Sequence, residues 1–347
     1  MRSLYLLSCI LCLSLLIIFI LDLVTGTVNI PPGDVFSVLL GQEPERKSWT
    51  AIILLFRLPK ALTAICAGAS LAMSGLMMQT LFRNPLAGPS VLGISSGASL
   101  GVALVVLGTA ISHRSARLVE GLGVGGNFIL VTAAALGALL VLVSILICAR
   151  WVDNVMTLLI IGLLGGFALN AVVSVLIHFS RPEMIQAYLA WTFGSFANVT
   201  WREMTVFLPI CLLVCTASLF TGKPLNGLLL GETYARSMGL SFLAIRIIVI
   251  SITAILVGCV TAYCGPIGFI GIAVPHLARV LIASSDHRIL LPVTAITGSI
   301  VALCADIIAQ LPGHATVLPL NAVTALIGSP VIIWFILSRQ KHQRSFF

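Results

Sequence analysis

The sequence predicts an all-α polytopic membrane protein of ten transmembrane helices, and three observations carry that prediction. Of its 347 residues 59% are hydrophobic and 9% charged, with a mean hydropathy of +1.14, whereas soluble domains carry roughly 25% charged residues. The apolar residues fall in long continuous runs, and a run of about 20 is enough to cross a bilayer as a helix. Apolar and polar residues do not alternate within the runs. Of the two architectures that hydrocarbon permits, helices and closed barrels, only helices fit.

Ten runs qualify: 4–21, 61–81, 90–110, 128–149, 155–177, 204–220, 244–263, 267–282, 290–309 and 317–337. An even number leaves both termini on one side. Cytoplasmic termini put eleven cationic residues inside, at Arg2, Arg83, Arg150, Lys223, Arg236, Arg246, Arg279, Arg288, Arg339, Lys341 and Arg344, and eight outside. That is the sense of the positive-inside rule. The net charge of +8 therefore reports membrane orientation, and no soluble basic domain is available to bind nucleic acid. No small-residue cleavage site follows the first run, which reads as an uncleaved helix rather than a signal peptide. The nine cysteines lie almost wholly in apolar runs, and Cys9 and Cys12 have no His or acidic company. They read as small apolar filler, not as metal ligands or disulfides.

In chain order, the domain 1–347 is unbroken, with external segments at 22–56, 111–127, 178–203 and 310–317. Pro and Gly break the first of these too often for a span, but Val35, Phe36, Val38, Leu39 and Leu40 predict a short helix lying on the outer surface. The second span opens on Arg57 and Lys60 and repeats Ala64, Gly68 and Ala72 at intervals of four, a spacing that lets helix backbones approach closely. Pro85 and Pro89 stop a continuous helix before the third span, where Gly93, Gly97 and Gly101 recur at the same interval. The fifth span is rich in Gly162, Gly165 and Gly166 and contains Asn170. Trp191 and Trp201 fit an interfacial aromatic belt. The longest internal loop, 221–243, is helix-compatible from Asn226 to Met238 and offers Leu228, Leu229 and Leu230 to something other than lipid. That apolar helix calls for a cytosolic protein partner.

An internal repeat is legible. Leu62-Thr63-Ala64-Ile65-x-x-Gly68 echoes Ile252-Thr253-Ala254-Ile255-x-x-Gly258, and Gly88-Pro89 with Gly93-Ile94 echoes Gly265-Pro266 with Gly271-Ile272. The two copies enter the membrane from opposite sides, which makes helices 2–5 and 7–10 an inverted repeat of the kind transporters use. Chance likeness between Gly- and Ile-rich helices competes with this reading.

Several chemical signals fail on context. Gly93-Ile94-Ser95-Ser96-Gly97 matches the nucleophile pattern G-x-S-x-G but lacks the strand, turn and base that an intramembrane serine hydrolase would need. No phosphate-binding G-x-x-x-x-G-K-[ST] occurs, so any nucleotide is bound by another subunit. Asp306 lies inside a span, where an acid is a candidate for ion coupling; a secondary transporter would use it, and a structural hydrogen-bonded Asp is equally compatible. His276 reads as a helix-terminal residue, and His113, His178 and His314 as external loop residues. Arg57 and Lys60 run against the charge bias and suit either docking of an acidic partner or interfacial anchoring.

The blocks RLPKALTAICAGASLAMSGLMMQTLFRNPLAGPSVLGISSGASLG, WTFGSFANVTW, LNGLLLGETYARSMGLS, GPIGFIGIAVPHLARVLIASSDHRILLP and NAVTALIGSPVIIW, in this order over nearly the whole chain, resemble the FecCD-type permeases. These are the non-catalytic membrane subunits of ATP-binding-cassette importers for ferric siderophores, haem and cobalamin. The resemblance implies a multi-pass protein of the bacterial inner membrane that forms a dimer, homodimer or heterodimer, around one pathway. It implies two cytosolic ATPase subunits that hold ATP and Mg, none of it on this chain, and a binding protein that delivers the metal chelate. It places ATPase coupling on Asn226, Leu230, Gly231, Glu232, Arg236 and Gly239, docking of the binding protein on Arg57 and Lys60, and the pathway and gate on Asn154, Val155, Met156 and Asn170. Gln310 stands where family members often carry Arg, and Val317-Leu318-Pro319-Leu320-Asn321 replaces a Glu-Leu-Pro-x-Gly block. Both departures bear on docking.

Overall fold

A computed structural model describes residues 2–108, 124–152, 154–229, 241–310 and 317–344, all of them helix or connecting turn with no strand. Among these residues seven helices have the length and apolarity to cross a bilayer: Leu6–Val24, Lys47–Leu81, Phe128–Trp151, Val155–His178, Trp201–Leu219, Phe242–Cys264 and His287–Ala309. Three shorter apolar helices, Ile94–Val106, Ile270–Ile282 and Leu320–Phe335, complete the predicted set. We label the elements α1 (Arg2–Val24), α2 (Pro32–Leu39), α3 (Lys47–Ala51), α4 (Leu58–Leu81), α5 (Ile94–Val106), α6 (Val124–Trp151) and α7 (Val155–His178). They continue with α8 (Pro182–Thr192), α9 (Trp201–Leu219), α10 (Gly222–Leu229), α11 (Phe242–Cys264), α12 (Ile270–Ile282), α13 (His287–Ala309) and α14 (Leu320–Arg344). The predicted surface helix is α2, which Pro32 opens at its first position.

Three spans depart most from the sequence reading. The second span is not 61–81 alone: α3 runs through a π-helical turn at Ile52–Arg57 into α4, so the helix is continuous from Lys47. The third and eighth spans are half-helices. At 13 residues each, α5 and α12 are about 20 Å long at 1.5 Å per residue, short of the roughly 30 Å hydrocarbon core. A 3-10 turn at Pro89–Leu92 precedes α5, and Gly93 then takes a left-handed φ of +76° with its vacant Cβ position 3.1 Å from the Gly162 carbonyl oxygen. Before α12, Gly265 at φ +76° and Phe269 at φ +66° make the corresponding break.

The core is built around α4, where twenty of 24 residues are buried. Small residues make this possible. Gly68 and Ala72 press against Gly298 of α13, and Gly75 meets the Gly271 backbone of α12. On the other side of the molecule Gly97 and Gly101 of α5 meet Gly137 and Ala133 of α6. The packing repeats by exchange: α4 lies on α13 as α11 lies on α6, α4 lies on α12 as α11 lies on α5, and α4 and α11 touch each other. The echo residues Gly68 and Gly258 occupy these equivalent crossings, Gly258 against Ala138 of α6. This is the arrangement that an inverted repeat of helices 2–5 and 7–10 produces.

Candidate functional site

The turns assigned to one side of the membrane gather at one pole. Arg83, held at φ +47° after α4, donates from Nη2 to the Leu228 carbonyl of α10 at 3.0 Å. Arg246 of α11 reaches the α6 terminus and donates to the carbonyls of Val152, at 2.8 Å, and Ala149. His276 Nε2 lies 2.8 Å from the Pro85 carbonyl, its ring stacked 4.0 Å from that of Phe335. Asn154 caps α7 by accepting from the Met156 N–H at 2.8 Å. Asn154, Val155 and Met156 then line a cavity of about 460 Å³ with Leu81, Phe82, Arg83, Leu228 and Phe242. Three of the four residues expected on the pathway and gate, Asn154, Val155 and Met156, thus lie beside α10, and Asn170 does not.

Of the residues expected to couple to an ATPase, Asn226 is engaged at both ends of its amide. Nδ2 donates to Asp286 Oδ1 at 2.6 Å, and Oδ1 accepts from the backbone N–H and the Nδ1 of His287, each at 2.8 Å. The Asn226 hydrogen bond, with a second from the Arg288 N–H, holds the Asp286 carboxyl below its usual pKa. Leu230, Gly231, Glu232, Arg236 and Gly239 lie outside the described residues. Asn170 sits far from this pole, in the second half of α7 and exposed, as are Phe167 and Ser174.

At the opposite pole the structure relocates the two cations expected to dock a partner. Arg57, 5% exposed, donates from Nη1 to the carbonyls of Leu23 and Val24 at 2.7 and 2.8 Å and from Nη2 to that of Val28. It closes the C-terminus of α1, where unpaired carbonyls and the helix dipole favour a cation. Lys60, 8% exposed, pairs with Asp306 at 2.7 Å and stands 4.0 Å from Asp22. Gln310 donates to Asp306 Oδ2 at 2.6 Å and Asp22 Oδ1 at 3.2 Å. The π-helical turn aims both cations inward, so neither offers its charge to the outer surface. Asp306, which sequence left between ion coupling and structure, is here a counter-ion. Asp22 is the residue that sequence reasoning missed, because it ends the first apolar run and reads as the start of a loop.

Two other signals resolve into packing. Ser95 Oγ lies 3.3 Å from Thr261 Oγ1, and the glycines of its motif make the α5 contacts described above. Cys66, Cys211, Cys215, Cys259 and Cys264 gather where α4, α9 and α11 meet, with Cys215 Sγ 3.6 Å from Ser70 Oγ. No group of three His, Cys, Asp or Glu side chains is placed to hold a metal among the described residues.

Of the three leucines expected to face a partner, Leu228 is instead buried within this chain, Leu229 is exposed and Leu230 lies outside the described residues. A multi-pass helical bundle with an inverted repeat and interrupted half-helices defines a transport subunit. The comparisons give the class. The model of the FecCD transport family matches residues 14–338, and the chain belongs to that family. It is 37% identical over 332 residues to the vitamin B12 import system permease protein BtuC of Escherichia coli O6:K15:H31, covering 94% of each chain. The BtuC of Shigella sonnei gives the same identity and coverage. A solved inward-facing structure, assigned to a metal-chelate type ABC transporter, superposes with a TM-score of 0.81 at 28% identity over 97% of this chain and 99% of that one. The protein is the non-catalytic membrane subunit of an ABC importer, working with ATPase and binding-protein subunits.

Proposed function

We propose that two copies of this chain form one pathway in a bacterial inner membrane, with both termini cytoplasmic. Two ATPases sit under α10 and a binding protein docks at the pole of α2 and α8. The observation that carries the reading is the convergence of α10 with the Asn154–Met156 cavity. A displacement of α10 by an ATPase reaches the gate through Arg83 and Leu228 directly. Transport then proceeds by exchange between two states of the cavity, each favoured by a different nucleotide state of the ATPases.

Docking charge falls to the exposed Arg46, Lys47, Arg181 and Arg202, since Arg57 and Lys60 have internal partners. The pathway runs along α7 past Asn170. Among metal chelates, identity with the vitamin B12 permeases favours a corrinoid. The test is uptake into proteoliposomes holding this chain with its cognate ATPase and binding protein. Labelled cyanocobalamin is expected to accumulate with ATP, and preference for a ferric siderophore or haem would overturn the corrinoid assignment.

A further inference from the structure

α10 is eight residues long, too short to persist without tertiary contacts. What fixes it determines what moves with it. Beyond its buried Leu225 and Leu228, it is held by the side chain of Asn226, which ends on His287. His287 is 2% exposed, opens α13, and places Nε2 2.7 Å from Thr80 Oγ1 in the last turn of α4. The Asn226 amide has its N–H directed at a carboxylate, so its Oδ1 can only accept, and His287 Nδ1 carries the proton. In the neutral ring Nε2 then accepts from the Thr80 hydroxyl, whose one proton is shared with the Leu76 carbonyl at 2.9 Å. One imidazole thus joins the cytoplasmic helix to the first turn of α13 and the last turn of α4.

We infer that His287 is a positioning residue for transport, pinning α10 to α4 and α13 through the Asn226–His287–Thr80 chain so that the three move together. Packing in these helices leaves little slack. α4 and α13 touch backbone to backbone at Gly68 and Gly298, and α4 also meets α12 at Gly75 and Gly271. A shift of α10 carried by a rigid ring therefore displaces the central helix instead of being absorbed at the surface. The inference rests on the reading of α10 as the ATPase contact.

Replacement can split the link. In His287→Asn the amide N–H stands near the Nδ1 position and keeps the side-chain bond to Asn226 while losing Thr80; in His287→Gln the amide reaches the Nε2 position and keeps Thr80 while losing the side-chain bond to Asn226, whose Oδ1 keeps only the backbone N–H of residue 287. Thr80→Val removes the hydroxyl at constant volume, and it serves where a His287 variant fails to assemble. In proteoliposomes with cognate ATPase and binding protein, all three variants are expected to keep ATPase co-purification and basal hydrolysis. Stimulation of hydrolysis by the binding protein is expected to fall about fivefold or more, the lower range of site-to-site coupling. Wild-type stimulation in Thr80→Val or in assembled His287 variants overturns the link. Leu229→Asp tests the underlying reading separately: undiminished ATPase co-purification would remove α10 as the contact, whatever the His287 variants do.

Discussion

Removing one member of the Lys60–Asp306 pair leaves a charge buried without its partner, which typically costs about 3–5 kcal/mol. Lys60→Met and Asp306→Asn are each expected to lower thermal stability in detergent strongly, and Lys60→Met/Asp306→Leu to recover most of the loss. A Lys60→Met protein as stable as wild type would show that Asp22 and Asp306 need no cation between them. Sequence alone reached half of this. Arg57 and Lys60 stood out because they opposed the charge bias, and Asp306 because it lay in a span, yet nothing in the linear order joined Asp22, Lys60, Asp306 and Gln310. Only the π-helical turn and the packing of α1 on α13 do so. Asp286 gives a second prediction at this scale. Its pKa is lowered in the folded protein, so its contribution is present above the unfolded carboxylate pKa of about 3.9 and is lost as pH falls through the folded value. Asn226→Ala, which removes the first cause of the shift, should therefore destabilise at neutral pH. The gap to wild type should narrow as pH drops below about 4, leaving the share that belongs to the His287 hydrogen bonds, and a gap unchanged by acid would exclude Asp286 as a source.

Where helices cross on glycine, the missing side chain sets the interhelical distance, and that dependence is measurable. A Cβ at Gly75 would clash with the Gly271 carbonyl, one at Gly68 would meet Ala302 at 2.6 Å, and one at Gly165 meets nothing within 4 Å. Gly75→Ala and Gly68→Ala should each destabilise by about 1–3 kcal/mol or more, the usual range for overpacking, while Gly165→Ala stays near neutral. Thermal unfolding of the three variants in one detergent checks the order, and a Gly75→Ala protein equal to Gly165→Ala would refute the contact. The spacing of Ala64, Gly68 and Ala72 and of Gly93, Gly97 and Gly101 made the α4–α13 and α5–α6 crossings legible, since intervals of four mark one helix face, whereas Gly75 falls outside that series. The half-helices were less legible. Pro89 read as the stop before the third span and Gly265-Pro266 only as the echo of Gly88-Pro89, and hydropathy runs straight through both breaks, so 90–110 and 267–282 looked like ordinary spans. The cysteine cluster was illegible for a different reason. Its members belong to three helices, and each is locally unremarkable as a small apolar residue.

Taken whole, the molecule buries α4, α11 and α13 and leaves α7 at the rim, with only Leu158, Gly162, Gly166 and Val173 buried along 24 residues. Rim helices can face lipid or another protein, and polarity separates the two. α9 presents Leu212 and Leu213 outward, as lipid requires, whereas α7 exposes Asn170 about two turns before its C-terminal end and Ser174 one turn further on. An exposed amide in hydrocarbon is costly, and contact with a second copy or a watery pathway relieves it. Sequence suggested this face through Asn170 and the run of glycines, but which side of α7 stays uncovered depends on where α5 packs, and hydropathy carries no such information. In a Cys9→Ser/Cys12→Ser background, Asn170→Cys should cross-link two chains on oxidation in native membranes, and Leu213→Cys on the α9 rim should not. Shielding of the Asn170→Cys thiol from a water-soluble maleimide by bound substrate would place it on the pathway. Equal cross-linking at both positions would reduce the dimer to random collision in the membrane, and cross-linking at Leu213 alone would move the interface to α9.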